Sequence, residues 1–273
     1  MEVKQIKIDF QVTPEVKRFV YVYLIHTDHG CVLIDSGVAG CEEEIERVIV
    51  ESGHRPEEVK AVFLTHAHPD HIGTANYFRE KYGAQIYASE GERPWIEDID
   101  LQFAKRPIPN FYHLAGQSTP VDHVVKDGDR ISLSDDIHID VIVTPGHSID
   151  ELSYRIGDVV FIGDAVPVRG DIPIFIHLQD TRQSLEILEN LSGVETFYPA
   201  WDRTYSPETM RSKIAEAKEL IHELEKCVCD ADQKADGRLE LSALVNQVCE
   251  MLHMPMLKTN PLFARTVDCC RKK

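Results

Sequence analysis

Long apolar runs are missing from this chain. The longest, residues 59–64 around Lys60 and residues 159–163, fall far short of the ~18 consecutive residues that a membrane-spanning helix needs. No bilayer crossing is expected. Nor is secretion expected, because Met1-Glu2-Val3-Lys4-Gln5 alternates charged and apolar residues where a signal peptide carries an apolar core; the expected compartment is the cytoplasm. The seven cysteines are odd in number and irregularly placed, so reduced thiols are expected rather than a disulfide framework. Neither Cys227-Val228-Cys229 nor Cys269-Cys270 matches a zinc-binding spacing. Positive charge is scarce, with 29 Lys and Arg against 46 Asp and Glu, net −17. Residues 1–202 hold 17 against 35, whereas residues 203–273 hold 12 against 11. So acidic a surface repels phosphate backbones and anionic lipid, which disfavours nucleic acid and membrane as partners and leaves a small-molecule substrate. A nucleotide loop is absent too, since residues 163–170 lack a lysine followed by Ser or Thr.

What is present is enough apolar residue, 43% of 273, for a substantial core in one large domain with an appendage. Ile6, Ile8 and Phe10 alternate as a half-buried strand does, and residues 19–25 and 31–34 flank Thr27-Asp28-His29-Gly30 as a hairpin. Ile45, Val48 and Ile49 share one face of a helix over 42–51, and a second helix is expected over 74–82. Strands are expected at 60–65, 85–88, 137–143, 152–156, 159–162 and 196–198, with Leu185, Leu188 and Leu191 marking a helix before the last. From Pro207 the pattern is helical only: Ile214, Ala217, Leu220, Ile221 and Leu224 form a stripe, residues 231–237 read as a polar linker, and 241–252 as another helix. The expected units are residues 1–206, an α/β layered domain, and residues 207–273, a helical appendage.

The chemistry is concentrated in Thr65-His66-Ala67-His68-Pro69-Asp70-His71-Ile72-Gly73, four metal-ligand side chains within six residues, directly after a buried strand. Imidazole and carboxylate suit zinc, iron and manganese, and a loop at a strand end can turn such side chains toward one point. Two more strand ends deliver Thr144-Pro145-Gly146-His147-Ser148 and Gly163-Asp164-Ala165, where each glycine is expected to let the backbone approach a metal closely. His177 is a candidate to line the pocket, while His26 and His29 are expected to be solvated at the hairpin.

With these motifs in place, residues 5–202 resemble the metallo-β-lactamase superfamily. The resemblance is carried by Asp35-Ser36-Gly37, the H-x-H-x-D-H run, Gly146-His147-Ser148 and Gly163-Asp164. It implies an αββα sandwich, two face-to-face sheets flanked by helices, with metals at one edge. It also implies that His66, His68 and His147 hold one divalent ion, that Asp70 and His71 help hold another, and that Asp164 bridges them. Asp35 would orient ligand histidines from behind. The family usually supplies a last histidine after the final strand; here Phe197-Tyr198-Pro199-Ala200-Trp201-Asp202 puts Trp201 in its place. Indole cannot ligate a metal, so the second site is expected to be weak unless Asp202, His177 or water substitutes.

The activity implied is hydrolysis of a small acyl compound, a thioester, lactone or ester, by metal-activated water, with Asp70 positioning that water or protonating the leaving group. Glyoxalase II and acyl-homoserine lactonases are relatives by motif. Zinc is the first expectation for the metal, with iron or manganese as alternatives. Two rival readings remain: a mononuclear non-haem iron dioxygenase acting on a thiol or persulfide, and a non-catalytic metal-binding regulatory protein. Residues 260–267 resemble the closing helix of some hydrolases in the superfamily; the appendage would serve as a lid, as a homodimer contact or as a winged-helix-like tail.

Overall fold

Strand 16–27 shows how the layers arise. Val20, Val22 and Leu24 point to one face and Tyr23 and Ile25 to the other, and all five are buried, so this strand has a packed layer on each side. The computed structural model describes residues 2–235 and 237–271. One sheet runs in the order β1 (Glu2–Thr13), β2 (Val16–Thr27), β3 (Gly30–Ile34), β4 (Val59–Phe63), β5 (Gln85–Ser89), β6 (His123–Val125). The second contains β7 (Arg130–Ser132), β8 (His138–Val143), β9 (Leu152–Ile156), β10 (Val159–Gly163) and β11 (Thr196–Pro199), in the order β11-β10-β9-β8-β7. The helices are α1 (Glu42–Glu51), α2 (Pro69–Ile72), α3 (Ala75–Tyr82), α4 (Arg93–Glu97), α5 (Ile99–Lys105), α6 (Phe111–Ala115), α7 (Leu178–Glu189), α8 (Pro207–Lys234), α9 (Leu241–Met251) and α10 (Pro261–Arg271).

Three apolar layers follow from these alternations. Tyr23, Ile25, Ile34 and Phe63 of the first sheet meet Ile139, Val141, Tyr154 and Phe161 of the second, filling the space between the sheets. Ile8, Val22, Leu33 and Val62 face outward onto Ile45 and Ile49 of α1 and Phe78 of α3. Val160 and Ile162 face outward on the opposite side, onto Leu185 and Leu188 of α7 and onto the stripe Ile214, Ala217, Ile221 and Leu224 of α8. The result is an αββα sandwich with a C-terminal helical region.

That helical region shares its core with the second sheet. Ser206 caps α8 by accepting from Thr209 N–H at 3.2 Å, with Pro207 in the first turn. The helix continues through Lys234 with Ala231 buried, so the linker expected over 231–237 is corrected: its first four residues are helix. From Pro207 onward the described residues contain helices and no strand, so the wing of a winged helix is absent among them.

Between residues 88 and 137 the sequence pattern predicts nothing, yet α4, α5, α6, β6 and β7 lie there. None exceeds the seven residues of α5, too few for a period to register. No helix among the described residues is long and apolar enough to cross a membrane.

Candidate metal centre

Strands β3 and β4 are parallel, β8 and β10 both run antiparallel to β9, and β11 is parallel to β10. Their C-terminal ends therefore open on one side of the sandwich. Cross-links hold these ends together: Asp35 N–H donates to Phe63 O at 2.9 Å, Leu152 N–H to Thr65 O at 2.8 Å and Ala200 N–H to Gly163 O at 2.9 Å. Asp35, the H-x-H-x-D-H loop, His147, Asp164 and Trp201 all project from this edge.

The proton positions follow from the hydrogen bonds. An ionised carboxylate only accepts, so the Thr65 hydroxyl donates to Asp35 Oδ2 (2.9 Å) and has only a lone pair for His66 Nδ1–H (2.9 Å). His71 Nδ1–H donates to Asp35 Oδ2 at 2.8 Å, and His147 Nδ1–H to Ile174 O at 3.1 Å. His66 and His147 are each left with a bare Nε2. His68 Nδ1 lies 2.9 Å from His66 Nε2 and 2.9 Å from His147 Nε2, and Asp164 Oδ2 lies 3.2 Å from His147 Nε2.

A proton on His68 Nδ1 would satisfy only one of its two contacts, whereas a cation satisfies all of them. Metal–nitrogen bonds of 2.0–2.1 Å imply tetrahedral ligand separations of about 3.3 Å, close to those observed. Beside this group, His71 Nε2, Asp70 Oδ2 and Asp164 Oδ1 are buried and have no hydrogen-bond partner. His71 Nε2 lies 3.8 Å from Asp70 Oδ2 and 3.6 Å from Asp164 Oδ2. The residues present thus fit one divalent ion among His66, His68, His147 and Asp164, and offer a poorer set of Asp70, His71 and Asp164 for a second.

Electrostatics agree with ligand duty at His66, His68 and His147. Burial, reinforced by neighbouring cationic groups, pushes His66 and His68 well below the usual imidazole range and His147 down to about 4, which keeps each neutral. At His71 burial also opposes the charge, but Asp35, Asp164 and Asp70 outweigh it and raise its pKa well above the ordinary value.

Several supports lie outside the motifs. Glu92, buried in the loop before α4, accepts Ala67 N–H and Asp150 N–H, both at 3.0 Å, and so ties the first ligand loop to the one after His147. Glu151 accepts Asp164 N–H at 2.7 Å and is fully buried. Arg106 lines the cavity above the centre with His68, Asp70 and Asp164. No local motif marks these three: Glu92 lies between Glu90 and Arg93, Glu151 follows Asp150 and Arg106 follows Lys105, so each reads in the sequence as an ordinary surface charge.

Four expectations are corrected. Gly146 and Gly163 are required by protein neighbours rather than by metal: at Gly146 (φ +129°) a Cβ would sit 2.3 Å from Thr181 Oγ1, and at Gly163 (φ +49°) 2.6 Å from Glu151 Oε1. His177 does not line the pocket; its side chain is 62% exposed at the start of α7, beside Asp180. Asp202 does not replace the missing histidine, because its carboxylate accepts Arg203 N–H at 2.7 Å and Tyr205 O–H at 2.8 Å. His26 is buried rather than solvated, and its ring stacks on His54 at 4.5 Å beside Cys31. His26, Cys31 and His54 bring ligand atoms within 4.8 Å of one another, with the two rings stacked at a tilt of only 19°.

Trp201 stands at the rim of the cavity. Arg18 lies 4.2 Å over the indole and is itself held by Asp171 Oδ1 and Oδ2 at 2.6 and 2.7 Å, while Phe10 meets the ring edge-on. The cavity, about 310 Å³, is floored by His68, Asp70, His147 and Asp164 and walled by Val16, Ile172, Trp201 and, from the C-terminal region, Met256, Pro261 and Leu262.

Comparison with known proteins agrees with this architecture. A metallo-hydrolase of Bacillus subtilis, described as probable, is 30% identical over 146 residues, 53% of this chain and 64% of its own length. A hydroxyacylglutathione hydrolase of Thiobacillus denitrificans is 27% identical over 147 residues, covering 54% of this chain and 46% of that protein. The chain thus spans less than two thirds of the length of these relatives. A metallo-beta-lactamase family protein of Thermus thermophilus superposes with a TM-score of 0.74 at 19% identity, over 98% of this chain and 91% of that one. Residues 16–200 match the description of the metallo-beta-lactamase superfamily, and with the sandwich and the strand-end ligand cluster this match shows that the chain belongs to that superfamily.

Proposed function

We propose that the protein is a metal-dependent hydrolase of a small acyl compound: a thioester, lactone or ester. The observation that carries this reading is the convergence of His66 Nε2, His68 Nδ1 and His147 Nε2 with Asp164 at the floor of a mostly apolar cavity. Zinc matches the donor set, and iron or manganese would be accepted by the same atoms. Bound there, a divalent ion lowers the pKa of a water from ~15.7 toward ~7 and polarises an acyl carbonyl.

The chain's own residues supply the rest. Thr65, itself held by Asp35, fixes His66 in the tautomer that leaves Nε2 bare, and Asp35 orients His71 through its Nδ1–H. Asp70 Oδ2 is a buried carboxylate oxygen without a hydrogen-bond partner beside the cavity, which supports a role in taking the proton of an attacking water and returning it to the leaving group. The apolar walls exclude bulk water and receive the acyl body. The hydroxyacylglutathione hydrolase among the relatives supports acyl transfer to water.

Replacing Asp70 by Asn preserves shape and removes basicity, so kcat for an acyl substrate should fall by about 10²–10⁴. Turnover by Asp70→Asn at the wild-type rate would remove Asp70 from that role. A second prediction concerns Trp201: zinc titration should show one tight and one weak step, and Trp201→His should tighten the weak one by roughly tenfold. Two equally tight steps in the wild-type protein would mean that the Asp70, His71 and Asp164 set is sufficient without a fourth ligand.

A further inference from the structure

Arg106 carries a buried charge that no hydrogen bond or ion pair among the described residues takes up. It follows α5, its backbone N–H closing that helix on Gln102 O at 2.7 Å, and the residue is only 5% exposed. Buried guanidinium groups are normally paired, because taking a charge out of water is costly unless hydrogen bonds replace the lost hydration. Among the described residues Arg106 forms no ion pair, its guanidinium donates no hydrogen bond, and Nη1 is fully out of solvent. Burial lowers its pKa only to about 10, so the charge persists at neutral pH. Asp70 and Asp164 act on it across the cavity without touching it.

The other guanidinium of the cavity differs: Arg18 is committed to Asp171 and to the face of Trp201. Arg106 therefore presents the one cation of the lining, among the described residues, with free donors. Around it the walls are apolar, with Val12, Ile108, Leu114 and Leu262 among the neighbours in the cavity. Such surroundings suit a hydrocarbon segment and, away from the metal centre itself, leave an anion no other free cation among the described lining residues.

We propose that Arg106 is the residue that reads substrate charge, and that the acyl compound carries a carboxylate which docks on this guanidinium while its carbonyl lies over His68, His147 and Asp164. The inference rests on the hydrolase reading above. A planar guanidinium fork matches a carboxylate with two parallel N–H donors. A singly charged group is favoured over a doubly charged phosphate because Asp70 and Asp164 share the same cavity.

The test uses zinc-loaded protein and two thiols of equal chain length, mercaptopropionate and mercaptopropanol, since a thiolate ligates zinc and only the first carries a carboxylate. Calorimetry on the wild-type protein should show mercaptopropionate binding about tenfold or more tightly, against the repulsion expected from a net charge of −17. Arg106→Met should reduce that preference to about twofold or less, and Arg106→Lys should retain part of it. Metal content measured on the same samples separates the two readings. Wild-type protein that binds no zinc overturns the hydrolase reading and this inference together. Zinc-loaded protein with no preference for the carboxylate, or with a preference that survives Arg106→Met, overturns the role of Arg106 alone.

Discussion

Protein carrying His66→Ala together with His68→Ala is expected to leave dialysis with metal at background level, whereas the wild-type chain retains at least one equivalent. The two substitutions remove His66 Nε2 and His68 Nδ1, which sit 2.9 Å apart at the centre of the ligand group. His147 and Asp164 alone leave two donors where zinc is held by three or four, and affinity for such an ion collapses with each lost imidazole. The fold should survive, because Asp35 still anchors Thr65 and His71 and the apolar layers on both sides of the sheets are untouched. Elemental analysis checks the metal and circular dichroism the fold. Stoichiometric metal in the folded double variant would sink the assignment of the centre.

The second large effect is one of stability. Gly146→Ala should cost about 3 kcal/mol or more and lower Tm by roughly 6–10 °C, because the new methyl would meet Thr181 at 2.3 Å to Oγ1 and 2.6 Å to both Cα and N, with φ at +129°. Thr181 cannot retreat easily: its N–H and hydroxyl both bond His177 O, so the clash is with the first turn of α7 itself. Gly157→Ala is the control. Its φ is +61° but nothing lies within 4 Å of the added carbon, so only the left-handed backbone penalty of about 1 kcal/mol applies. Equal melting temperatures for the two variants would show that the close approach at Gly146 is not stiff.

The candidate ligands could be seen in the chain because they are local. His66, His68, Asp70 and His71 fall within six consecutive residues, the first two in the loop after β4 and the other two in the short helix α2, and His147 and Asp164 each follow a hydrophobic run whose end marks a turn. Strand β9 and helix α1 were likewise readable to the residue, since each shows its period without interruption. Short elements escaped for the opposite reason. Helix α4, with five residues, and strand β6, with three, contain little more than one period, too little for a repeat to show.

What the sequence by itself determined is therefore the kind of donor available and the strand ends that present it, because covalent neighbours and a period of two or 3.6 are properties of the chain. Only the tertiary structure decided the rest. Glu92 and Asp150 are 58 positions apart and Asp35 and His71 36 apart, so their hydrogen bonds exist only once the strand ends are side by side. The same holds for the direction of a side chain at a turn: Asp202 faces Tyr205 instead of the centre, His177 faces solvent, and Arg106 faces the cavity with its donors free. No local pattern encodes that direction, because it is set by which neighbour, remote in the chain, offers the better partner once water has been excluded.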